Sequence, residues 1–380
     1  MKLDNTIHQV IIGASQRMGQ VMGGSVQLVV TSPLYPMIGM WDEILSNQNS
    51  AIGNSLAANN GAMAFEWMHL ELDKVWKEVE RVLSPGGFVC INIGDATRTI
   101  DGNFALYPNH SRIISSFLAL GFQNLPNIIW RKQTNAPNKF MGAGMLPAGA
   151  YVTLEHEWIL IFRKGGKRLF KTEEARLRRQ ESSFFWEERN VWFSDLWDLK
   201  GTSQKMERSE SRTRSAAYPF EIPYRIIQMY SLKGDTVLDP FLGTGTTTLA
   251  AIASQRNSIG YEIDSHFLDV VVENIESTPL RFYHSTVQKR IDRHKQFISE
   301  RNADPKKDEI KHFNQHLNMQ VMTSQEVEMK FSTVVAVRLA SVGQFESFYS
   351  DLDIEELPLP REGSEFVARK SKNRQIAISF

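Results

Sequence analysis

The chain has 380 residues, 42% of them hydrophobic, which is enough to bury a substantial core and is ordinary for a globular protein. Its 43 basic and 43 acidic residues balance, so any nucleic-acid binding has to come from a local patch and not from net charge. The single cysteine, Cys90, excludes an internal disulfide and a cluster of cysteine metal ligands, and the cytoplasm is the expected compartment. No apolar run approaches the roughly 20 residues that span a bilayer, so neither a membrane segment nor a signal peptide is predicted.

The first 165 residues alternate between predicted strands and helices, as in half of a twisted α/β sheet. Apolar runs at 8–12 and 26–30 predict two buried strands, and the second ends at the hexapeptide Thr31-Ser-Pro-Leu-Tyr-Pro36. The segment 37–64 lacks clear periodicity and is rich in Asn, Gly, Ser and Met, so we predict a lid or binding loop there. The other elements predicted in this half are a helix at 70–83, a strand at 88–93, a helix at 110–120 and strands at 127–130 and 157–162.

The alternation of predicted strands and helices stops between residues 163 and 217, where Arg, Lys, Ser and aromatic residues predominate. It then resumes, and the sheet is expected to be completed from this second half. The elements predicted after the break are a helix at 226–230, strands at 236–239 and 258–262, a basic helix at 285–302 and a strand at 332–338. No function is predicted for the residues that follow Pro279.

A glycine turn follows the predicted strand 236–239. Gly243 and Gly245 allow the backbone to approach a nucleotide-like ligand, because a helix begins directly after them near Thr246. Glu262 ends the next strand, roughly where an acid grips ribose hydroxyls in nucleotide-binding folds. A dinucleotide fingerprint would have a third glycine near Thr248, and a P-loop would have a lysine after its last glycine; both are missing. A tight turn without a ligand stays open as the alternative.

The hexapeptide that ends the strand 26–30 combines three chemical features. Pro33 fixes the backbone direction, Ser32 offers a hydroxyl acceptor and Tyr35 offers an aromatic face. Together these groups could hold a flat ring that carries an amine. Taken alone, the motif is equally well interpreted as a proline-rich turn after a strand.

The two motifs and their order resemble the amino-methylating DNA methyltransferases of the permuted order, in which the catalytic motif precedes the cofactor motif. That family has Ser-Pro-Pro-Tyr or Asp/Asn-Pro-Pro-Tyr as its catalytic signature, and Asp-Pro-Phe-x-Gly-x-Gly-Thr-Thr, matched by 239–247, as its cofactor signature. The chain departs from the family at Leu34, which replaces the second proline, and at Ala14, where an aspartate is often found. The resemblance spans 8–276 and includes the Pro-Gly-Gly strand with Asn92-Ile-Gly-Asp95, the strand from Glu157 to Lys164, Asp195-Leu-Trp197 and Tyr218-Pro-Phe-Glu-Ile-Pro223.

The resemblance implies an α/β, Rossmann-like S-adenosylmethionine-dependent methyltransferase fold, circularly permuted, with an inserted target-recognition region and a C-terminal extension. The implied units are a catalytic half of the sheet at 1–165, the target-recognition region at 166–217, the cofactor-binding half at 218–280 and the extension at 281–380. The residues that the resemblance assigns to S-adenosyl-L-methionine are Asp239, Phe241, Gly243, Thr244 and Gly245 in the turn, Glu262 on the ribose, and Gly13 and Phe220 in the same pocket.

The resemblance also implies a mechanism. Ser32 and the Pro33 carbonyl accept hydrogen bonds from the target amine, which localises the nitrogen lone pair toward the methyl group. Tyr35 stacks on a base that has left the duplex. No metal is expected, because methyl transfer involves no phosphoryl charge, and Cys90 lies in an apolar strand and is interpreted as core.

Double-stranded DNA is the implied partner, and a cognate restriction endonuclease acting on the same site is a further candidate. Between 164 and 214, six cationic side chains on one short segment are predicted to contact DNA: Lys167, Arg168, Lys171, Arg176, Arg178 and Arg179. A solvated helix face, balanced by Glu173, Glu174 and Glu181, is the alternative. The segment 131–149 is a second candidate DNA-facing loop.

Ser32, in place of Asp or Asn, favours N4 of cytosine as the target. N6 of adenine stays open, because the same two acceptors serve either amine. A nucleotide-dependent oxidoreductase or NTPase is disfavoured by the missing third glycine and the missing P-loop lysine. A catalytically silent DNA-binding module is the remaining alternative, and it predicts DNA affinity without methyl transfer.

Overall fold

A ten-stranded mixed sheet organises the computed structural model, which describes residues 5–132, 141–200 and 218–351. The strands are β1 (Asn5–Ile12), β2 (Val26–Thr31), β3 (Leu83–Ile93), β4 (Ala96–Ile100), β5 (Asn103–Tyr107), β6 (Phe122–Lys132), β7 (Met141–Gly142), β8 (Ala150–Tyr151), β9 (His156–Lys164), β10 (Leu196–Leu199), β11 (Thr236–Asp239), β12 (Asn257–Glu262), β13 (His312–Asn314), β14 (Met319–Val321), β15 (Ser332–Ser341) and β16 (Gln344–Asp351). The helices are α1 (Asp42–Gln48), α2 (Ser50–Ala57), α3 (Gly61–Val82), α4 (Asn109–Ala119), α5 (Glu173–Glu181), α6 (Trp186–Trp192), α7 (Glu221–Tyr230), α8 (Thr246–Ala253), α9 (His266–Ser277) and α10 (Leu280–Ala303), with short 3₁₀ helices at Gly39–Trp41 and Ser324–Glu326.

The strand order across the sheet is β10-β6-β9-β3-β2-β11-β12-β1-β16-β15, and only β9 and β16 run against the other strands of this sheet. The neighbours β2 and β11 are parallel, with Leu28 beside Val237. From this pair the chain continues outward in opposite directions, to β3 on one side and to β12 on the other. Ligands in open α/β sheets bind at the carboxyl ends of strands at such a switch point, so this edge is where a site is expected.

Helices cover both faces of the sheet, because successive strand residues point to opposite sides. On one face Val29 packs with α3 and α4 residues such as Trp76 and Phe117. On the other face Leu28 packs with α7 and α8, for example against Ile226. Burial on both faces explains why the central strands are continuous apolar runs without alternation. Cys90 is buried in this second layer, as predicted, and burial raises the pKa of its thiol.

The segment 37–64, predicted as a lid or binding loop, is mostly helical and is not a loop. It contains a 3₁₀ turn, α1, α2 and the start of α3. Asn49 and Asn60 accept hydrogen bonds from Ala51 N and Met63 N at two helix starts, which favours helix over loop. The short helices have too few turns to show a clear apolar period, which is why the sequence pattern did not reveal them.

The sheet also takes strands from regions that the sequence sets apart. In the predicted target-recognition region, β10 pairs with β6, and Trp197 beside Trp130 is 2% exposed. In the C-terminal extension, β16 pairs with β1 and then with β15, and Phe345 is fully buried. The extension therefore adds two strands, β16 and β15, to the central sheet. Within the described ranges, no helix is long and apolar enough to cross a membrane.

A buried ion pair joins the extension to the segment between the two halves. Arg290 on α10 donates to both carboxylate oxygens of Glu188 on α6, at 2.6 and 2.7 Å, and the two side chains are 5% and 8% exposed. Around the pair, Phe185 packs with Ile291 and Leu317. Charges that are buried in this way depend on each other, because neither can recover its hydration in the folded state.

We expect Arg290→Met to lower the free energy of unfolding by about 3–5 kcal/mol, because Glu188 stays buried without its partner. Chemical denaturation followed by circular dichroism measures this change. Lys289→Met, at an exposed position on the same helix, is the matched control and is expected to stay within about 0.5 kcal/mol. A stability for Arg290→Met equal to that of the control would contradict the buried-pair interpretation.

Candidate active site

One pocket opens at the carboxyl ends of the strands around the switch point, and it encloses about 1030 Å³ including its open mouth. Its walls come from both motifs, since β2 ends next to β11 and β12. The predicted residues that line it are Gly13, Ser32, Pro33, Tyr35, Phe241, Gly243, Thr244 and Glu262. Trp41, Ile44 and Gln48 from the helical segment that follows the hexapeptide add a further wall. The structure therefore brings the two sequence motifs together in one cavity.

Asp239 lies beneath this pocket and is 2% exposed. Its Oδ1 accepts hydrogen bonds from Thr31 Oγ1 at 2.6 Å and from Phe241 N at 3.0 Å, and its Oδ2 accepts one from Thr247 Oγ1. Burial raises the pKa of Asp239, and these donors oppose the rise. Asp239 thus ties the end of β2 to the glycine turn, and it shapes the cavity from below without lining it.

The glycine turn adopts the left-handed backbone that its residues permit. Gly243 has φ of 54° and Gly245 has φ of 85°, where α8 begins. A Cβ atom on Gly245 would approach Val271 Cγ1 to 3.0 Å, so this position favours glycine for space as well as for φ. At Gly243 and Gly13 a Cβ would meet nothing within 4 Å, which shows open room beside the backbone. Both glycines line the pocket, so a ligand can lie directly against the backbone at these two positions.

Glu262 presents its carboxylate at the same wall. Gly243 N donates to Oε2 at 2.9 Å and Asp264 N donates to Oε1 at 3.0 Å, so the side chain is held in one orientation. Burial raises the pKa of Glu262, and these backbone donors oppose the rise. Each oxygen keeps a lone pair for another donor, as a ribose diol provides. Glycines, aromatic Phe241 and this carboxylate therefore fit a nucleoside-bearing cofactor.

The opposite wall carries the hexapeptide. Ser32 Oγ lies 3.1 Å from Tyr35 Oη, and Tyr35 donates to Glu157 Oε2 at 2.9 Å. Asn92 Nδ2 donates to Tyr35 Oη at 2.8 Å and to the same Glu157 oxygen at 2.6 Å. Lys132 Nζ donates to the other oxygen of Glu157. Burial, followed by the Glu157 charge, raises the pKa of Tyr35 well above its ordinary value, so the hydroxyl keeps its proton.

Asn92 and Glu157 carried no predicted role, although both belong to motifs that the sequence resemblance covers. Asn92 lies near the carboxyl end of β3, whereas Glu157 lies near the amino end of β9. These positions meet only because β9 is antiparallel to β3, with Asn92 opposite Ile159. A polar residue at the end of one strand and another at the start of a later strand would have predicted this contact only if the relative direction of the two strands had been known.

Phe220 is not brought to the pocket. Its ring packs against Tyr224 at 5.4 Å and meets Phe282 edge-to-face at 4.8 Å between ring centroids. Tyr218, two residues earlier, lines the cavity instead, and its hydroxyl contacts Thr247 Oγ1. The turn before α7 sends alternate aromatic side chains in different directions, and the sequence motif alone did not show which one faces the ligand.

The predicted DNA-binding cations lie at the opposite edge of the sheet. Arg168 donates two hydrogen bonds to Asp235, at 2.6 and 3.0 Å, and Arg178 donates to it at 3.1 Å. Asp235 precedes β11 and Asp239 ends it, so at about 3.3 Å per residue they are about 13 Å apart. Arg176 donates to the carbonyls of residues 170 and 171, Arg179 lies over the Phe170 ring at 4.8 Å, and Lys167 and Lys171 are exposed on the same segment.

The predicted contacts of these six cations with DNA stay a prediction. Arg168 and Arg178 pair with a buried carboxylate at the edge of the sheet away from Ser32, whereas Lys167 and Lys171 are exposed. At the pocket edge, between the end of β6 and the start of β9, lies 141–155, which includes 141–149 of the second candidate loop. Residues 133–140 and 201–217, which complete these predicted DNA-facing regions, lie outside the described residues.

A family model described as DNA methylase, of the N6/N4 methyltransferases, matches residues 26–273. The chain belongs to this DNA methylase family. Type II methyltransferase M.MthZI of Methanothermobacter thermautotrophicus is 49% identical over 350 residues, which is 92% of this chain and 96% of the relative. Type II methyltransferase M.MjaI of Methanocaldococcus jannaschii is 49% identical over 287 residues, which is 72% of this chain and 93% of the relative.

The solved structure of a similar protein contains the cofactor. A Thermus thermophilus protein assigned as a DNA modification methylase, complexed with S-adenosyl-L-methionine, is 31% identical with a TM-score of 0.54, and the match covers 70% of this chain and 92% of that chain. The present chain is thus an S-adenosylmethionine-dependent enzyme with the predicted α/β methyltransferase fold. The open glycine backbone at Gly13 and Gly243 and the anchored Glu262 carboxylate are compatible with this cofactor.

Proposed function

We propose that this methylase transfers a methyl group to N4 of a cytosine that has been flipped out of duplex DNA. The observation that carries the proposal is that Ser32 and the glycine turn line one pocket from adjacent strands, so a hydroxyl acceptor faces the cofactor cradle. The Thr31–Asp239 hydrogen bond supports a constant separation between these two walls. A serine at this position, where the family also uses Asp or Asn, favours cytosine.

S-adenosyl-L-methionine, when bound, supplies an electrophilic methyl group on a sulfonium. The residues of the chain prepare the nucleophile. A base amine shares its lone pair with the ring, and hydrogen bonds from its two hydrogens to Ser32 Oγ and the Pro33 carbonyl localise that pair on nitrogen. Tyr35 lines the same wall, which supports a contact between its ring and the base. The flipped base leaves its stack at a cost of a few kcal/mol, which such contacts offset.

Double-stranded DNA is the proposed substrate, and we place it over the pocket edge. There the β7–β8 hairpin exposes Met145 and Leu146, which are 86% and 69% exposed. Tyr151 of this hairpin stacks on Phe104 of the neighbouring β4–β5 hairpin at 4.5 Å. Exposed apolar side chains at such an edge suit a partner whose base pairs must be opened. The Type II relatives support a pairing with a cognate restriction endonuclease that acts on the same sequence.

The test is to incubate DNA with isotopically labelled S-adenosyl-L-methionine and to identify the labelled nucleoside after digestion. We expect N4-methylcytosine. N6-methyladenine as the product would contradict the target base while keeping the reaction class, since the same acceptors serve either amine. Absence of label in DNA, with intact cofactor binding, would reject the proposed function and favour a silent DNA-binding module.

A further inference from the structure

A chain of hydrogen bonds leads from the target position to a carboxylate that the motifs do not assign. Ser32 Oγ lies 3.1 Å from Tyr35 Oη, and Tyr35 Oη lies 2.9 Å from Glu157 Oε2. The Tyr35–Glu157 separation lies within the usual range for a hydroxyl hydrogen bond, and the Ser32–Tyr35 separation is slightly longer than that range. Glu157 is 12% exposed at its side chain, and its ion-pair partner Lys132 is 40% exposed. This series of hydrogen bonds thus runs from the pocket wall toward the solvent.

The direction of these hydrogen bonds follows from the charges at the far end. Asn92 Nδ2 donates to both Tyr35 Oη and Glu157 Oε2, and Lys132 donates to Glu157 Oε1. An ionised carboxylate only accepts, so the Tyr35 proton points to Glu157. The Tyr35 oxygen then accepts from Ser32, whose own proton is used in that bond. Asn92 Nδ2 also donates to Ser32 Oγ at 3.4 Å, so Ser32 Oγ turns its remaining lone pair, and no proton, toward an amine in the pocket.

The reaction requires a place for one proton. As the nitrogen lone pair forms the new bond to the methyl carbon, the carbon–sulfur bond breaks and its electrons stay on sulfur. The nitrogen gains positive charge and loses an N–H proton, whose bonding electrons restore its neutrality. A serine hydroxyl alone is a weak proton acceptor, whereas a carboxylate is a far stronger one.

We propose that Glu157 is the terminal proton acceptor of the methyl transfer, reached from the target amine through the Ser32 and Tyr35 hydroxyls. The amine proton passes to Ser32 Oγ, the Ser32 proton passes to Tyr35 Oη and the Tyr35 proton passes to Glu157 Oε2. The products are a neutral methylated amine, a thioether and a protonated Glu157. Lys132 and Asn92 act as positioning residues that hold the carboxylate and the direction of the chain. This inference rests on the proposed amine methylation.

Two substitutions interrupt the path at different points. Glu157→Gln removes the acceptor, and Tyr35→Phe removes the intermediate hydroxyl while keeping the ring. We expect each to slow single-turnover methyl transfer by roughly 100-fold, with unchanged binding of S-adenosyl-L-methionine and of duplex DNA. The double variant Tyr35→Phe/Glu157→Gln is expected to be no slower than either single variant, because a path broken once cannot be broken again. Glu273→Gln, an exposed charge change on α9, is the matched control.

A second background separates proton acceptance from simple positioning of Tyr35. Ser32→Asp places a carboxylate at the first position, as in other members of the family, and makes the remote acceptor unnecessary. In this background Glu157→Gln is expected to cost little, whereas a purely structural Glu157 would cost the same as in the Ser32 enzyme. If Ser32→Asp is inactive, the Tyr35→Phe/Glu157→Gln double variant tests the inference by itself.

Three results would overturn the inference. They are a wild-type rate for Glu157→Gln, independent and multiplying losses in the double variant, or an undiminished Glu157→Gln penalty beside Asp at position 32. Each of these requires a wild-type enzyme that methylates DNA. Failure of the wild type itself to transfer methyl groups to DNA would instead reject the proposed function, so the two failures are distinguishable.

Discussion

Replacing Ser32 with alanine is expected to slow single-turnover methyl transfer by about 100- to 1,000-fold while leaving the affinity for S-adenosyl-L-methionine unchanged. The hydroxyl lies on the wall opposite the glycine turn, so its removal leaves the Glu262 side of the pocket intact. Its effect is greatest when the amine becomes pyramidal and the N–H groups gain positive charge. Rapid-quench measurement of labelled DNA, beside calorimetric cofactor binding, separates the two quantities.

Comparison with Tyr35→Ala sharpens this prediction. Loss of the ring removes a contact surface worth about 1 to 3 kcal/mol toward a flipped base. A mismatch at the target cytosine lowers the cost of flipping, so it should partly rescue Tyr35→Ala but not Ser32→Ala. Tyr35→Phe, which keeps the ring, should gain nothing from the mismatch. Equal rescue of the Ser32 and Tyr35→Ala variants would show that the two residues do not have these separate roles.

The second large effect is expected at Glu262. Glu262→Ala should weaken S-adenosyl-L-methionine binding by about 10- to 100-fold, because hydrogen bonds to a charged acceptor contribute about 1.5–3 kcal/mol. Loss of the side chain also removes the acceptor that orients Gly243 N in the turn. Isothermal titration calorimetry measures the change, and Glu273→Ala, an exposed acid on α9, is the matched control. Undiminished binding in Glu262→Ala would remove Glu262 from the cofactor site.

The raised pKa of Glu262 gives this prediction a pH dependence with a definite sign. Burial favours the protonated form, so Glu262 takes up its proton at a higher pH than an exposed glutamate, which titrates near about 4.3. Protonation removes acceptor capacity for the ribose hydroxyls. Wild-type affinity should therefore fall as the pH is lowered through this raised pKa, whereas Glu262→Gln should show a flatter profile. A wild-type profile as flat as that of the variant would contradict the assignment.

The local motifs determined which residues meet at the main pocket. Thr31 ends an apolar run and Asp239 ends another, and the carboxyl ends of neighbouring parallel strands share one edge of a sheet. The Gly-x-Gly sequence dictated a left-handed turn, because glycine adopts positive φ without a Cβ penalty. Ser32, Tyr35, Gly243 and Glu262 were accordingly predictable as pocket residues from strand ends and turn chemistry taken together with the family resemblance.

Other parts of the site depended on long-range pairing. Glu157 reaches Tyr35 only because β9 runs antiparallel beside β3, and strand direction is set by packing over the whole sheet and not by the local residues. The extension likewise joins the core through β16 beside β1, across more than three hundred residues of sequence. Neither contact has a local sequence signal.

The segment with the six cations, residues 167–179, also separates what the sequence determined from what the tertiary structure decided. Its sequence left a solvated helix face open as one alternative, and charge alone did not indicate which edge of the sheet that helix, α5, would face. The buried carboxylate of Asp235 decided the matter, because a charge that is 2% exposed requires a partner, and Arg168 and Arg178 provide one. Thus the sequence by itself determined the motifs and their local conformations. Only the tertiary structure decided strand direction, the partners of buried charges and therefore which polar side chains line the pocket.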